Sequence, residues 1–413
     1  MTPWFGYQGG ELRADGVSLA ELAREFGTPC YVYSRQALET RFTAFRDAFR
    51  RDALVCYAVK ANSNLAVLQT LAKAGAGFDI VSLGELKRVM AAGGDTGKTV
   101  FAGACKLDHE LEEALRAGIR CVNVESEAEL EALGDIAARL GVTAPVALRV
   151  NPDVAAGAHP HIATGLKEHK FGIPLDQARE LYDRIASHDA LRAHGVACHI
   201  GSQIMDLSPM AESAGRVAEL ARELLAAGHE LVSLDLGGGL GIDTPDEAAP
   251  SPEALARTLE EATSGLDLEL VIEPGRAIAG PAGLLLTRVA YTKDGDDRAF
   301  ALVDAAMNDL LRPALYGAWH DILPVIPGGE SQRMDVVGPV CESADFLGKD
   351  RQLAVAAGSL LAVADAGAYG FTMSSNYNSR PRCAEVMIDA GRARLVRARE
   401  TFDDLVRGER LLA

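Results

Sequence analysis

Between residues 54 and 272 the chain repeats one pattern eight times: a short apolar run, then an amphipathic segment. The runs are Leu54–Val59, Phe78–Val81, Thr99–Ala102, Cys121–Val124, Pro145–Val150, Gly195–His199, Leu231–Leu236 and Leu268–Ile272. Most are continuously apolar rather than alternating, as a parallel strand buried on both faces requires. The segments between them carry helix punctuation. Ser82 with Glu85, and Ser126 with Glu129, have the spacing of capping boxes. Gly75, Gly93, Gly118, Gly141 and Gly228 fall where a left-handed residue ends a helix. Eight strand–helix units in roughly 250 residues predict an α/β protein built on a (β/α)8 TIM barrel, with a doubly wound open sheet as the alternative.

A barrel demands that chemistry gather just after its strands. Lys60 closes the first run, Ser82 follows the second, and His199-Ile200-Gly201-Ser202 ends the sixth. Gly237-Gly238-Gly239 follows the seventh, and Glu273-Pro274-Gly275-Arg276 the eighth. After residue 282 the pattern changes. Gly283–Tyr291, Phe300–Val303 and Leu360–Val363 read as strands without regular helices between them, and Cys30–Tyr33 is an early strand ahead of the barrel. The expected organisation is an N-terminal strand segment (1–34), a barrel (35–282) and a β-rich, sandwich- or barrel-like C-terminal domain (283–413) that also takes the early strand. Residues Asn151–Ile173 read as a long loop carrying His159, His161 and His169. Their spacing supports no metal site, and no role is assigned to them.

Composition narrows the function. A formal net charge of −17 repels phosphate backbones, so nucleic acid is not an expected partner. The seven cysteines include no CxxC pair, which fits a reducing cytoplasm rather than a disulfide framework. No apolar run is long enough to span a membrane, and the N-terminus has no signal-peptide pattern.

At the strand ends each residue has a bland and a chemical reading. Lys60 either reaches solvent at the barrel mouth or is a buried amine with a lowered pKa, able to form a Schiff base. Asp79 is either its ion-pair partner or a structural carboxylate. The three glycines are either a tight turn or a backbone cup for an anion. Arg276 beside Gly275 could hold a phosphate by bidentate bonds, with Ser202 as a further donor, or simply pair with Glu273 at the surface. His199 either packs on a ring or is a core histidine. Together they meet the needs of pyridoxal 5'-phosphate (PLP): a lysine for its aldehyde, a phosphate cup, and an acid, Glu273, for its pyridine nitrogen.

These motifs resemble those of a known family. Tyr57-Ala58-Val59-Lys60-Ala61-Asn62 is similar to the PLP-lysine motif of the fold-type III decarboxylases, which include ornithine and diaminopimelate decarboxylases. His199–Gln203, Gly237–Gly239, Glu273–Arg276, Gly338-Pro339-Val340-Cys341-Glu342-Ser343 and Asp365-Ala366-Gly367-Ala368-Tyr369 follow in the family's order. The resemblance implies a PLP barrel plus β-domain, assembled as a homodimer. It implies that Lys60 carries PLP, that Glu273 faces the pyridine nitrogen and that His199 stacks on the ring. Ser202, Gly239, Gly275, Arg276 and Tyr369 would surround the phosphate. Cys341 and Glu342 would enter the neighbouring subunit's site, with Cys341 a proton donor to Cα.

The segment Met307-Asn308-Asp309-Leu310-Leu311-Arg312-Pro313-Ala314-Leu315-Tyr316 resembles the diaminopimelate branch. So do Asn151-Pro152-Asp153, Thr164-Gly165 and Lys170-Phe171-Gly172. Ornithine and arginine end in a cation and ask for carboxylates, whereas diaminopimelate ends in both an ammonium and a carboxylate. By resemblance, Arg312 and Tyr316 bind that carboxylate and Glu342 the ammonium, with Arg276 and Tyr369 also bordering the substrate. The expected activity is PLP-dependent decarboxylation of meso-diaminopimelate to L-lysine. Alternatives are an ornithine, arginine or carboxynorspermidine decarboxylase and a non-catalytic regulatory homologue. An alanine-racemase-like enzyme places an arginine, not a glutamate, at the pyridine nitrogen.

Overall fold

The computed structural model describes residues 3–155, 170–295 and 298–412. The chain divides into two compact units, one of residues 40–277 and one of residues 1–39 with 278–413.

In the first unit the eight strands are Ala53–Ala58, Gly77–Ile80, Thr99–Phe101, Cys121–Val124, Ala144–Asn151, Leu191–Ala197, Ser233–Asp235 and Glu269–Ile272. They pair in parallel in chain order, and the eighth closes on the first with Val271 opposite Leu54. This is the expected closed barrel rather than an open sheet. Leu54, Cys56, Val100, Cys121, Ala147, Ala197 and Val271 pack together as one buried cluster. The sixth strand starts four residues before its apolar run. Arg192 and His194 interrupt the pattern there, and a register shift between Ala193 and Gly195 realigns the chain.

The helix signals work almost as expected. Ser82 Oγ accepts the Glu85 N–H at 3.3 Å and Ser126 Oγ the Glu129 N–H at 3.2 Å. The glutamates, however, reach one residue further back, to the N–H groups of Val81 and Glu125. All five stop glycines have positive φ. After the fifth strand the chain returns at Ile173–Pro174, a two-residue strand paired with Val150 and Asn151. His159, His161, Thr164, Gly165 and His169 lie outside the described residues. Gly172 donates its N–H to Glu125 at 3.1 Å, and Arg149 covers the Phe171 ring.

In the second unit, Gly283–Lys293 runs antiparallel to Cys30–Ser34, Ala299–Val303 and Leu360–Val363. Cys30–Ser34 also lies parallel to Ala384–Asp389, so the early strand is built into the β-rich sheet. Gln332–Val337 and Phe346–Leu353 extend the sheet on one side, and Arg392–Arg397 on the other. A three-stranded N-terminal sheet, Phe5–Gln8, Glu11–Ala14 and Val17–Ser18, precedes a helix at Leu19–Phe26. Sequence reading missed both. Their apolar side chains, Leu12, Leu19 and Leu22, are buried against Val32, Leu286 and Val386. Among the described residues no helix is long and apolar enough to cross a membrane.

Candidate active site

Lys60 follows the first barrel strand in a short turn, Val59–Ala61. The Tyr57 hydroxyl braces that turn by donating to the Asn62 carbonyl at 3.2 Å. Lys60 Nζ pairs with Asp79, a fully buried carboxylate on the second strand. The other Asp79 oxygen is buried with no hydrogen-bond partner among the described residues.

The loops after strands six, seven and eight are knitted together by backbone N–H groups. Gly238 N–H donates to His199 Nδ1 at 3.2 Å, Ile204 N–H to the Gly239 carbonyl at 2.9 Å, and Glu273 N–H to the Gly237 carbonyl at 2.8 Å. A Cβ at position 238 would strike the Glu273 carbonyl, and one at 239 the Gly201 carbonyl. Only glycine permits this approach, and Gly239 also sits at φ 109°. Arg276, buried at the start of a short helix, donates to Ser202 Oγ at 3.1 Å. One mouth of the barrel therefore holds Lys60, Asp79, His199, Ser202, Gly239, Glu273, Gly275 and Arg276 at the C-terminal ends of its strands.

The electrostatics of this mouth are unusual. Burial pushes the Glu273 carboxyl well above the usual carboxylate range, and the nearby Asp235 and Asp79 add to it, against Lys60. Asp235, on strand seven, is also raised by burial and shares a hydrogen bond with Glu273. It accepts from Asn123 Nδ2 at 2.9 Å and from Gly237 N–H at 3.0 Å. Two carboxyls this close resist ionising together. Glu273 Oε1 is buried with no partner among the described residues. His199 is pushed well below the usual histidine range by burial, then by Arg149 and Lys60, so its ring is neutral. Because Nδ1 accepts from Gly238, the ring proton belongs on Nε2.

These residues fit PLP. A protonated pyridine nitrogen placed here would supply both the donor that Glu273 Oε1 lacks and the positive charge the carboxyl pair calls for. Glycine-rich backbone, Ser202 and Arg276 suit a phosphate. Lys60 supplies an amine. Among the described residues no group of histidine, cysteine and carboxylate side chains has the arrangement of a metal site.

The remaining candidates lie in the β-rich unit. Arg312 and Tyr316 bound a five-residue helix. Arg312 Nη1 lies 3.0 Å from His320 Nε2. Cys341 and Glu342 are exposed, and the Tyr377 hydroxyl donates to Glu342. Their loop is anchored by Asp345, which accepts N–H groups from Met307 at 2.6 Å and Val340 at 2.7 Å. Tyr369 adopts a left-handed backbone, φ 55°, a conformation that costs energy in a non-glycine residue. Sequence reading missed Asp235, His320, Asp345 and Tyr377. Only Asp235 left a usable signal, as an acidic residue closing an otherwise apolar strand ahead of three glycines.

The family model for the pyridoxal binding domain of pyridoxal-dependent decarboxylases matches residues 35–280. The chain is 54% identical to the diaminopimelate decarboxylase of Pseudomonas aeruginosa over 410 residues, 99% of each chain. It is 53% identical to that of Vibrio cholerae over 406 residues, 97% of each. Among solved structures, the diaminopimelate decarboxylase of Helicobacter pylori complexed with L-lysine superposes with a TM-score of 0.92 at 41% identity, covering 94% of this chain and 98% of that one. The enzyme from M. jannaschii gives a TM-score of 0.95 at 37% identity, covering 99% and 98%.

Proposed function

The chain belongs to the diaminopimelate decarboxylases, a branch of the pyridoxal-dependent decarboxylases, and from that premise we infer how its residues carry out the reaction. The enzyme decarboxylates meso-2,6-diaminopimelate to L-lysine and CO2, with PLP as cofactor. The observation that carries this reading is the barrel mouth, where the Lys60–Asp79 pair, the knitted glycine loops and the raised Glu273 carboxyl meet at the C-terminal ends of the strands.

When bound, PLP acts as the electron sink for the pair left behind as CO2 departs. Lys60 is the residue that would hold it covalently, and Asp79 pairs with the free amine and keeps it in place. Glu273 would hold the proton on the pyridine nitrogen, and the neutral His199 ring would cover a flat face of the cofactor. Ser202, Gly239, Gly275, Arg276 and Tyr369 hold the phosphate, and Arg276 and Tyr369 also border the substrate. Cys341 delivers the proton to Cα. Arg312 and Tyr316 bind the carboxylate of the substrate's far end, and Glu342 binds its ammonium.

Cys341 and Glu342 act in the site of a partner copy, so the working unit is a homodimer; their exposure in the single chain supports this reading. A cytoplasmic location is supported by seven cysteines that are all free thiols. The barrel and the β-rich unit correspond in this reading to a cofactor domain and a substrate- and partner-facing domain.

The test is product analysis of the PLP-loaded enzyme offered meso-diaminopimelate, ornithine and arginine separately. Lysine and CO2 from diaminopimelate alone is the expected result. Turnover of ornithine or arginine would overturn the assignment of Arg312 and Tyr316 to a distal carboxylate.

A further inference from the structure

Arg312 does not stand alone in the β-rich unit. Its short helix ends at Gly317, in a left-handed turn with φ 61°, and the chain comes back to bring His320 against the guanidinium. His320 is 1% exposed. Its Nε2 lies 3.0 Å from Arg312 Nη1, and its Nδ1 lies 2.8 Å from the Ala364 carbonyl. That carbonyl belongs to a fixed corner. Ala364 N–H donates to the Asp321 carbonyl at 2.8 Å, and the strand Ile322–Pro324 pairs with Leu360–Val363 directly beside it.

Only one proton assignment satisfies both contacts. A guanidinium has donors and no acceptor, so His320 Nε2 must accept. A carbonyl only accepts, so Nδ1 must carry the proton and donate. The ring is therefore a neutral imidazole in a single tautomer, held at one end by sheet backbone and holding the arginine at the other. An arginine side chain has several rotatable bonds, and fixing it on demand costs entropy each time ligand binds. Prior immobilisation removes part of that cost.

We propose that His320 is a positioning residue that pre-orients Arg312 for the substrate's distal carboxylate and so sets specificity for a substrate carrying one. This rests on the reading of Arg312 as the binder of that carboxylate. His320 touches no reacting atom in this scheme, so its effect belongs on affinity rather than on the chemical step.

Two substitutions separate the two ends of the ring. In His320→Asn the amide keeps a donor near the Nδ1 position for Ala364 but is too short to reach Arg312. In His320→Gln the longer amide places an acceptor near the Nε2 position. The PLP-loaded enzymes are titrated with L-lysine, which keeps the distal carboxylate, and with 1,5-diaminopentane, which lacks it, and binding is followed by the cofactor's absorbance. Arg312→Ala and the double variant with His320→Asn complete the cycle.

The expected result is that His320→Asn weakens L-lysine binding about tenfold and raises KM for diaminopimelate by a similar factor. Its kcat should stay within about threefold and its 1,5-diaminopentane binding should not change, while His320→Gln should recover most of the loss. In the Arg312→Ala background His320→Asn should have no further effect. Equal loss for both ligands, or an effect persisting without Arg312, would mean a merely structural histidine and overturn the proposal. So would a His320→Asn enzyme that binds L-lysine normally, or a His320→Gln enzyme no better than His320→Asn. If Arg312→Ala itself left L-lysine binding intact, the carboxylate reading of Arg312 would fall, and this proposal with it.

Discussion

Lys60 and Asp79 lie at the ends of neighbouring barrel strands and form an ion pair whose carboxylate side chain is fully buried while the lysine side chain is 36% exposed. The asymmetry has a consequence for stability as well as for catalysis. Removing the lysine leaves a charge in the protein interior that already has one oxygen without a hydrogen-bond partner among the described residues.

Lys60→Ala is therefore expected to abolish turnover and covalent retention of PLP, and also to destabilise the cofactor-free protein. Breaking a fully buried pair costs about 3–5 kcal/mol, and the solvent reach of Lys60 reduces this to about 1–3 kcal/mol. Adding Asp79→Asn should restore part of the loss. Urea unfolding of the cofactor-free variants measures it, and a Lys60→Ala protein as stable as the parent would show that the pair has no structural weight.

The Glu273–Asp235 pair predicts a pH dependence. The Glu273 carboxyl is raised by burial and by its acidic neighbours, so the folded state binds a proton more tightly than the unfolded chain does. A group raised in this way contributes stability that is complete below the ordinary carboxylate pKa and is lost as pH rises through the folded value. The cofactor-free enzyme should lose stability as pH rises above about 4.3, at up to about 1.4 kcal/mol per pH unit over the range where the unfolded chain has released this proton and the folded protein still holds it. With PLP bound in the proposed orientation, the positive pyridine nitrogen would compensate the carboxylate and the loss should shrink. Glu273→Gln should flatten the cofactor-free profile and lower kcat. A melting-temperature series against pH, with and without PLP, checks both. Identical slopes for parent and Glu273→Gln would remove Glu273 as the source.

Arg312→Ala should separate substrate recognition from cofactor binding. Hydrogen bonds to a charged group are worth about 1.5–3 kcal/mol, so KM for diaminopimelate should rise about 10- to 100-fold. Affinity for PLP should not change, because the proposed PLP contacts do not include this residue. Steady-state kinetics alongside a PLP titration distinguishes the two, and an equal loss of both would assign Arg312 to the cofactor instead.

What could be seen in the sequence follows from what each element buries. The barrel strands were visible because both faces are covered, which leaves unbroken apolar runs. Leu191–His194 was not, because the exposed Arg192 and the buried but polar His194 break the apolar run. In the β-rich unit, Leu360–Val363 is largely buried and was legible, whereas Arg392–Arg397 has only exposed and half-buried residues and looks like loop. The site divides the same way. Lys60, His199, Gly237–Gly239 and Glu273 stand out because barrel geometry says where to look. Asp235 accepts from Asn123, 112 residues earlier on another strand, and His320 contacts a carbonyl 44 residues later. Such pairings exist only once the sheets have formed, and nothing local announces them.

The homodimer reading leads to a mixing experiment. Cys341 and Glu342 are exposed in the single chain, on a loop held in shape by Asp345 and by the contact of Tyr377 with Glu342. A loop that is exposed yet held by several hydrogen bonds is suited to entering another subunit. If it does, Lys60→Ala and Cys341→Ala each inactivate a different half of one composite site. In a mixed dimer one site carries both lesions and the other carries neither. Random exchange makes half the dimers mixed, so co-refolding the two inactive proteins should restore about a quarter of parental activity. Pure Lys60→Ala stays inactive under the same treatment. Mixtures no more active than the sum of their parts would mean that Lys60 and Cys341 of the same chain work together, and the shared-site dimer would have to be given up.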